Sequence, residues 1–260
     1  MNPTPLIIGH RGSSAVAPEN TIAAFQRAIA DGADGIEFDV RLSRDQVPVV
    51  IHDASLQRTG LRTGLVEDLT AAELRLIDVG SWFSLDRKMG GPAYSGERIP
   101  TLADVLDLFR ASDALLYLEM KCQRGAATRL AAAVVDAIGE RSIAEWVIIA
   151  CFDLSVLGEI RRRNPRLRTA ALFEPRLRQP VSLLQQRNLV KLAKTWRVDE
   201  IALHHTIARR RVIENAKRDD LDVVVWTVDT PEWISRARRL GIRALITNDP
   251  TAMLTCRDQL

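Results

Sequence analysis

The 260-residue sequence predicts an α/β chain folded as a (β/α)₈ TIM barrel, with a β-hairpin after the second strand and a small insertion over the C-terminal mouth. Three observations predict it. Short apolar runs alternate with helical spacing from end to end, the pattern of parallel strands joined by crossover helices. The length suits one such barrel, typically about 250 residues. A loop-length argument then removes the one strand that the barrel cannot hold.

The candidate strands are residues 6–9, 35–40, 47–52, 115–120, 146–151, 168–173, 200–204, 223–228 and 244–247. Between them lie apolar residues at helical spacing, such as Ile22, Phe25 and Ile29, or Leu102, Val105, Leu106 and Phe109. Asn20 or Thr21 can cap the first of these helices, with Asn20 taken as the cap, and Thr101 the second. Nine strands are one too many. Only residues 41–46 separate the second strand from the third, whereas a parallel crossover needs about a dozen residues or more. Residues 47–52 must therefore return antiparallel, with the turn near Asp45, setting His52 opposite Asp39. Eight β-α units remain. Residues 54–98 lack clear strands and carry six glycines, so they read as an insertion with its own small structure inside a single 1–260 domain.

Composition excludes several classes. Hydrophobic residues make up 47% and charged residues 27%, an ordinary globular balance. The net charge is only +3. The basic runs Arg161–Arg163 and Arg209–Arg211 lack interleaved aromatics, fall on expected helix faces and do not point to nucleic acid. Three cysteines, Cys122, Cys151 and Cys256, match neither a zinc site nor a disulfide framework and read as reduced thiols. No apolar stretch approaches spanning length, and the first residues lead straight into a strand. The expectation is a cytoplasmic protein with no stable membrane association. The oligomeric state is left open.

In such barrels the chemistry gathers at the C-terminal ends of the strands. Glu37 and Asp39 share a face because they lie two apart, while Ile36, Phe38 and Val40 face the helices. Glu119 ends a later strand. Three like charges together are costly unless a cation sits among them, and all-oxygen ligands favour a hard divalent ion, Mg²⁺ or Ca²⁺. The bland reading pairs each acid with a nearby Arg or Lys. His10 and His52 flank the cluster, and imidazole titrates near neutrality, so one can take a proton as the other gives one. Arg11 and Lys121 add positive charge suited to phosphate oxygens. Together these residues describe phosphoester cleavage.

The stretches His10-Arg11-Gly12, Pro18-Glu19-Asn20-Thr21, Glu37-Phe38-Asp39-Val40 and Val49-Val50-Ile51-His52-Asp53 carry a wider pattern. It continues through Arg58-Thr59, Gly80-Ser81-Trp82-Phe83, Glu119-Met120-Lys121, Phe152-Asp153, Trp226-Thr227-Val228-Asp229 and Thr247-Asn248-Asp249-Pro250. The chain resembles the glycerophosphodiester phosphodiesterase family over nearly its whole length. The resemblance implies hydrolysis of small glycerophosphodiesters, such as glycerophosphocholine or glycerophosphoethanolamine, to glycerol 3-phosphate and an alcohol. By the same resemblance His10 and His52 are acid and base, Glu37, Asp39 and Glu119 bind the metal, and Arg11 and Lys121 contact phosphate. Cys151 stands where serine is common and Asp229 where asparagine is common. Neither departure is expected to touch the catalytic set.

Other residues have two readings each. Glu19 orients Arg11 or the metal site, or else caps a helix start. Asp53 orients a catalytic histidine or caps a turn. Trp226 walls the glycerol pocket or packs the barrel. Trp82 and Phe83 form a mini-core or close over substrate, and His204 and His205 read as structural. Two rival functions stand beside the first. A phospholipase D-like enzyme acting on lysophospholipids or sphingomyelin would need an apolar approach from Trp82, Phe83, Leu85 and Met89. A catalytically inactive barrel would only bind phosphorylated ligands.

Overall fold

The computed structural model describes residues 3–86, 94–122, 125–175 and 183–259. Strands β1 (Leu6–His10), β2 (Gly35–Leu42), β3 (Pro48–Val50), β4 (Leu115–Met120), β5 (Val147–Cys151), β6 (Arg168–Phe173), β7 (Glu200–His204), β8 (Asp222–Trp226) and β9 (Ala244–Thr247) form one sheet. Its order is β1-β9-β8-β7-β6-β5-β4-β2-β3, and β1 also pairs with β2. Every pairing is parallel except that of β2 with β3. Leaving out β3, eight parallel strands close a barrel, as the sequence led us to expect.

The hairpin arm is antiparallel, with Val40 opposite Val50 and Leu42 opposite Pro48. It is shorter than residues 47–52 and shifted by one position from expectation. The Ile51 N–H donates to the Asp39 carbonyl at 3.0 Å, so Ile51 and not His52 faces Asp39. The turn carries Gln46 in the left-handed region (φ 64°), and the Ser43 N–H closes on the Val47 carbonyl. His52 lies just beyond the last paired residue.

Helices α1 (Ile22–Ala30), α2 (Ala71–Leu74), α3 (Ser81–Asp86), α4 (Leu102–Leu108), α5 (Ala127–Gly139), α6 (Leu154–Arg163), α7 (Leu183–Thr195), α8 (Arg210–Arg218), α9 (Glu232–Leu240) and α10 (Pro250–Arg257) follow in chain order. Thr21 caps α1, its Oγ1 accepting from the Ala24 N–H, and Thr101 caps α4 in a capping box with Asp104. The basic runs lie on or beside α6 and α8 with acidic partners. Arg161 meets Asp199, Arg162 and Arg163 meet Glu159, and Arg210 meets Glu214.

Two apolar layers hold the barrel. The outer layer packs alternate strand residues, among them Ile36, Phe38 and Val40, against Phe25, Leu106 and other helix residues. The inner layer fills the lumen with Ile8, Tyr117, Ile148, Leu172, Val224, Ile246 and small alanines. Near the end opposite the mouth this filling includes a buried acid. Glu200, the first residue of β7, accepts from the Tyr117 hydroxyl at 2.9 Å and pairs with Arg168 and Arg243. An unpaired buried carboxylate would be costly, so the two guanidiniums are what make this position tenable.

Residues 54–98 leave the end of the hairpin arm and carry α2, α3 and a separate apolar cluster of Leu56, Val66, Leu74, Ile77 and Val79, which also takes in Val49, Ile51 and Ile99. Tyr94 donates through its hydroxyl to the Val16 carbonyl at 3.0 Å, anchoring the segment on the β1–α1 loop. Phe83 is buried and meets both Trp82 and Tyr94 edge-on, the mini-core arrangement. Met89 and the side chain of Leu85 lie outside the described residues.

Candidate active site

Strand register brings the candidate residues to one level of the barrel. His10 pairs with Glu37 across β1 and β2, and Asp39 with Glu119 across β2 and β4. Carboxylate oxygens of Glu37, Asp39 and Glu119 all lie within 4.8 Å of one another. His10, Arg11, Glu37, His52, Glu119 and Lys121 line a cavity of about 120 Å³. Its apolar lining is Tyr117, Phe152, Leu172, Trp226 and Ile246, and Glu174 joins them. Glu19 and Asp53 lie outside the lining.

Each member is fixed by neighbours. Asn20, in the left-handed region at φ 58°, donates through Nδ2 to Asp39 Oδ2 at 2.7 Å and accepts from the Asp39 N–H at 3.2 Å. The cap of α1 is thus Thr21 and not the expected Asn20, which grips Asp39. Arg11 is also left-handed (φ 56°); its N–H donates to Glu37 and its side chain reaches Asp39 at 3.2 Å and Glu19 at 2.8 Å. Non-glycine residues rarely hold such φ values without surrounding contacts that compel them. Gly12, at φ 83°, lets this loop lie against α1, where a Cβ would come within 2.6 Å of the Ala24 backbone.

The second histidine has its own chain of support. His52 Nδ1 meets Asp53 Oδ1 at 2.6 Å, and Arg58 donates to Asp53 Oδ2 at 2.7 Å. Arg58 also holds Glu19 through two bonds of 2.7 Å, so one guanidinium joins the supports of Arg11 and His52. Glu19 is thus bonded to two arginines, Arg11 and Arg58. Arg41 fixes the backbone here, its Nε donating to the His52 carbonyl at 2.8 Å.

His10 is held from the end of the neighbouring strand β9. Its Nδ1 meets Asn248 Oδ1 at 2.7 Å, and the Asn248 amide donates to Asp229 Oδ2 at 2.7 Å. Because Asp229 and the Ser14 hydroxyl fix the amide with its oxygen toward His10, Nδ1 is the donor. Asp229 touches none of the candidate catalytic residues itself and reaches His10 only through Asn248. In both histidines Nδ1 is committed to an oxygen, and Nε2 is the nitrogen left for chemistry; that of His10 lies 3.9 Å from Glu37.

Charge and burial divide the acids. Burial alone would raise the Asp39 carboxyl, but Lys121 and Arg11 outweigh it and hold Asp39 well below the usual carboxylate range. Burial, then the neighbouring Asp39, pushes Glu119 up to about 7 and Glu37 well above its ordinary value. Burial, and then Arg11, lowers His10 to about 4, and burial lowers His52 as well. Lys121 lies 3.1 Å from Asp39 and pairs with Glu119, so the lysine joins the acid cluster as well as the cavity wall. The bland reading, acids paired with Arg and Lys, is thus partly realised, but two basic groups do not balance three carboxylates that sit this close. The donor set is all oxygen and fits a hard divalent cation.

A pH dependence follows. Carboxylates must lose their protons to bind a cation, and Glu119 and Glu37 hold theirs unusually firmly. Metal affinity should therefore fall as pH drops through about 7, and metal addition at pH 6 should release protons. Calorimetry in buffers of different ionisation enthalpy measures that release; metal binding at pH 6 with no proton released would contradict it.

In the apolar lining, Trp226 donates from Nε1 to the Ala202 carbonyl at 3.1 Å and meets Phe152 and His204 edge-on. His204, read as structural from the sequence, sits half-buried against this cavity residue without lining the cavity itself. Trp82 and Phe83 do not line the cavity.

Residues 10–252 match the model of the glycerophosphoryl diester phosphodiesterase family. The chain belongs to that family. It is 34% identical to a glycerophosphodiester phosphodiesterase of Caldanaerobacter subterraneus over 96% of both chains. Among solved structures it is similar to an Oleispira antarctica phosphodiesterase in complex with the product sn-glycerol-3-phosphate (TM-score 0.85, 25% identity, 98% of this chain and 97% of that one). It is also similar to the Thermotoga maritima glycerophosphodiester phosphodiesterase (TM-score 0.74, 26% identity, 98% and 99%). Within this family's sequence pattern, Asn248, Asp229, Arg58 and Asn20 were visible as motif letters, but their roles came only from tertiary contacts.

Proposed function

We propose that this chain hydrolyses small glycerophosphodiesters, such as glycerophosphocholine and glycerophosphoethanolamine, to glycerol 3-phosphate and an alcohol. One observation carries the reading: a three-carboxylate cluster, two histidines and two basic side chains converge on a single small cavity. Glu37, Asp39 and Glu119 would hold a Mg²⁺ or Ca²⁺ ion, which when bound supplies positive charge against the phosphodiester. Arg11 and Lys121 would bind the phosphate oxygens and stabilise the charge that builds on them. One histidine takes a proton at Nε2 from the attacking oxygen as the new O–P bond forms; that oxygen is water's, or the glycerol 2-hydroxyl's with water opening the cyclic phosphate afterwards. The other gives a proton to the departing alkoxide as the old P–O bond breaks. Asp53 and Asn248 hold both rings so that Nε2 can serve. Trp226 and Phe152 supply the apolar wall for the carbon skeleton of the substrate.

We read residues 54–98 as an insertion within this one catalytic domain. Among the described residues no helix is long and apolar enough to cross a membrane. Three free thiols fit a cytoplasmic setting. The small cavity, and the packing of Phe83 into the insertion and away from it, favour a short polar diester over a lysolipid. Assays of chelated protein restored with each metal should show glycerol 3-phosphate released from glycerophosphocholine or glycerophosphoethanolamine. An equal kcat/KM for lysophosphatidylcholine would favour the phospholipase D-like reading. Binding without turnover of any diester would leave an inactive barrel.

A further inference from the structure

The inner face of β4 carries Glu119, and Lys121 follows directly beyond the strand end; the outer face at the same level carries sulfur. Cys122 Sγ lies 3.9 Å from Cys151 Sγ, across the ends of the neighbouring strands β4 and β5. Cys151 is buried and its thiol also meets the Met120 carbonyl at 3.4 Å. Cys122 is partly exposed. The pair belongs to the outer apolar layer, and Cys151 stands in place of a serine that the family pattern commonly shows, so nothing in the proposed hydrolysis uses it.

We propose that Cys122 and Cys151 form a reversible thiol-oxidation site, which closes a disulfide in response to hydrogen peroxide and withdraws Lys121 from the acidic cluster. Two sulfurs already in contact need to approach only to the roughly 2.05 Å of an S–S bond. Exposure assigns the order of events: Cys122 meets the oxidant, and the buried Cys151 resolves. The Cys122 thiolate attacks one peroxide oxygen, the O–O bond breaks, and hydroxide leaves and is protonated to water. Cys122 is then a sulfenic acid. The Cys151 sulfur attacks it, the S–O bond breaks, and the departing hydroxide takes the Cys151 proton as a second water. Two thiols have lost two electrons, and one peroxide has become two waters.

The consequence for the site follows from chain geometry. Cys151 is fixed in β5, so closure is met mainly by Cys122, whose peptide joins Lys121 directly. Lys121 is tied through its side chain to Asp39 and Glu119, and a misplacement of about 1 Å near a reacting centre can cost on the order of 10²-fold in rate. The thiol chemistry stands apart from the proposed activity; only its effect on turnover rests on that reading.

The test treats the whole protein with peroxide, then measures free thiols, disulfide-linked peptides and diester turnover. Titratable thiols should fall from three to one, Cys256 remaining, with Cys122 and Cys151 recovered as one linked peptide. Turnover should fall about 10-fold or more and return with dithiothreitol. Cys122→Ser and Cys151→Ser should each keep the turnover of the untreated protein and resist peroxide. Three thiols surviving treatment would overturn the proposal, as would serine variants inactivated as fast as the parent, or a linked protein with undiminished turnover. If untreated protein turns over no diester, the reading of its activity fails, while the linked peptide still decides the oxidation site.

Discussion

Asp39→Ala is expected to lower turnover by roughly 10³-fold or more, since a bound metal contributes several kcal/mol and each 1.36 kcal/mol is tenfold. Asp39 is the acid held most firmly in its charged form, and it is bonded to Asn20, Arg11 and Lys121. Glu37→Ala and Glu119→Ala should act in the same direction. In each variant metal affinity measured by calorimetry should drop while circular dichroism keeps the parent spectrum, because the outer apolar layer that holds β2 against the helices is untouched. Chelation of the parent should abolish turnover, and addition of Mg²⁺ or Ca²⁺ should restore it. A chelated enzyme working at full rate would remove the metal from the scheme.

His10→Ala and His52→Ala should each reduce kcat by roughly 10²-fold or more, the usual size of a general acid–base contribution. The double variant should lose far less than the product of the two, because both rings serve one proton-transfer cycle. The supports predict a graded series behind them. Asp229→Ala frees the Asn248 amide to flip and so weakens His10 alone, whereas Arg58→Ala loosens Asp53 and Glu19 together. Steady-state kinetics on the parent, the single variants and the double variant decide this, and near-parental kcat in either histidine variant would return that residue to a structural role.

Much of the frame was legible because its signals are local and repeat. Residues 115–120, 168–173, 200–204 and 244–247 are apolar runs bounded by polar ends, and each is a strand with those bounds. The two-residue alternation in β2 separated Glu37 and Asp39 from Ile36, Phe38 and Val40 without any tertiary information. The hairpin followed from chain length, though its register fell one residue away because the turn pairs Asp39 with Ile51. What stayed hidden depends on barrel closure. His10 and Asn248 stand 238 positions apart, and Tyr117 and Glu200 stand 83 apart. Asn20 misled for a different reason: its propensity suits a helix cap, but Thr21 serves there, and the bond to Asp39 decides its place.

The hairpin arm divides the proton-handling pair between two bodies. His10 belongs to the closed ring of strands, whereas His52 hangs at the end of an arm that pairs with β2 on one side and makes only a short bridge, Val49 to Thr101, on the other, beside a lobe with its own apolar cluster. Arg58, bonded to Asp53 on one hand and Glu19 on the other, is one rivet between them, and Tyr94 on the Val16 carbonyl is another. Partial melting of the lobe would part the two rings while the ring of strands stays shut, since open edges and small clusters give way before a closed sheet does. Warmed gently, such an enzyme falls silent before it unravels.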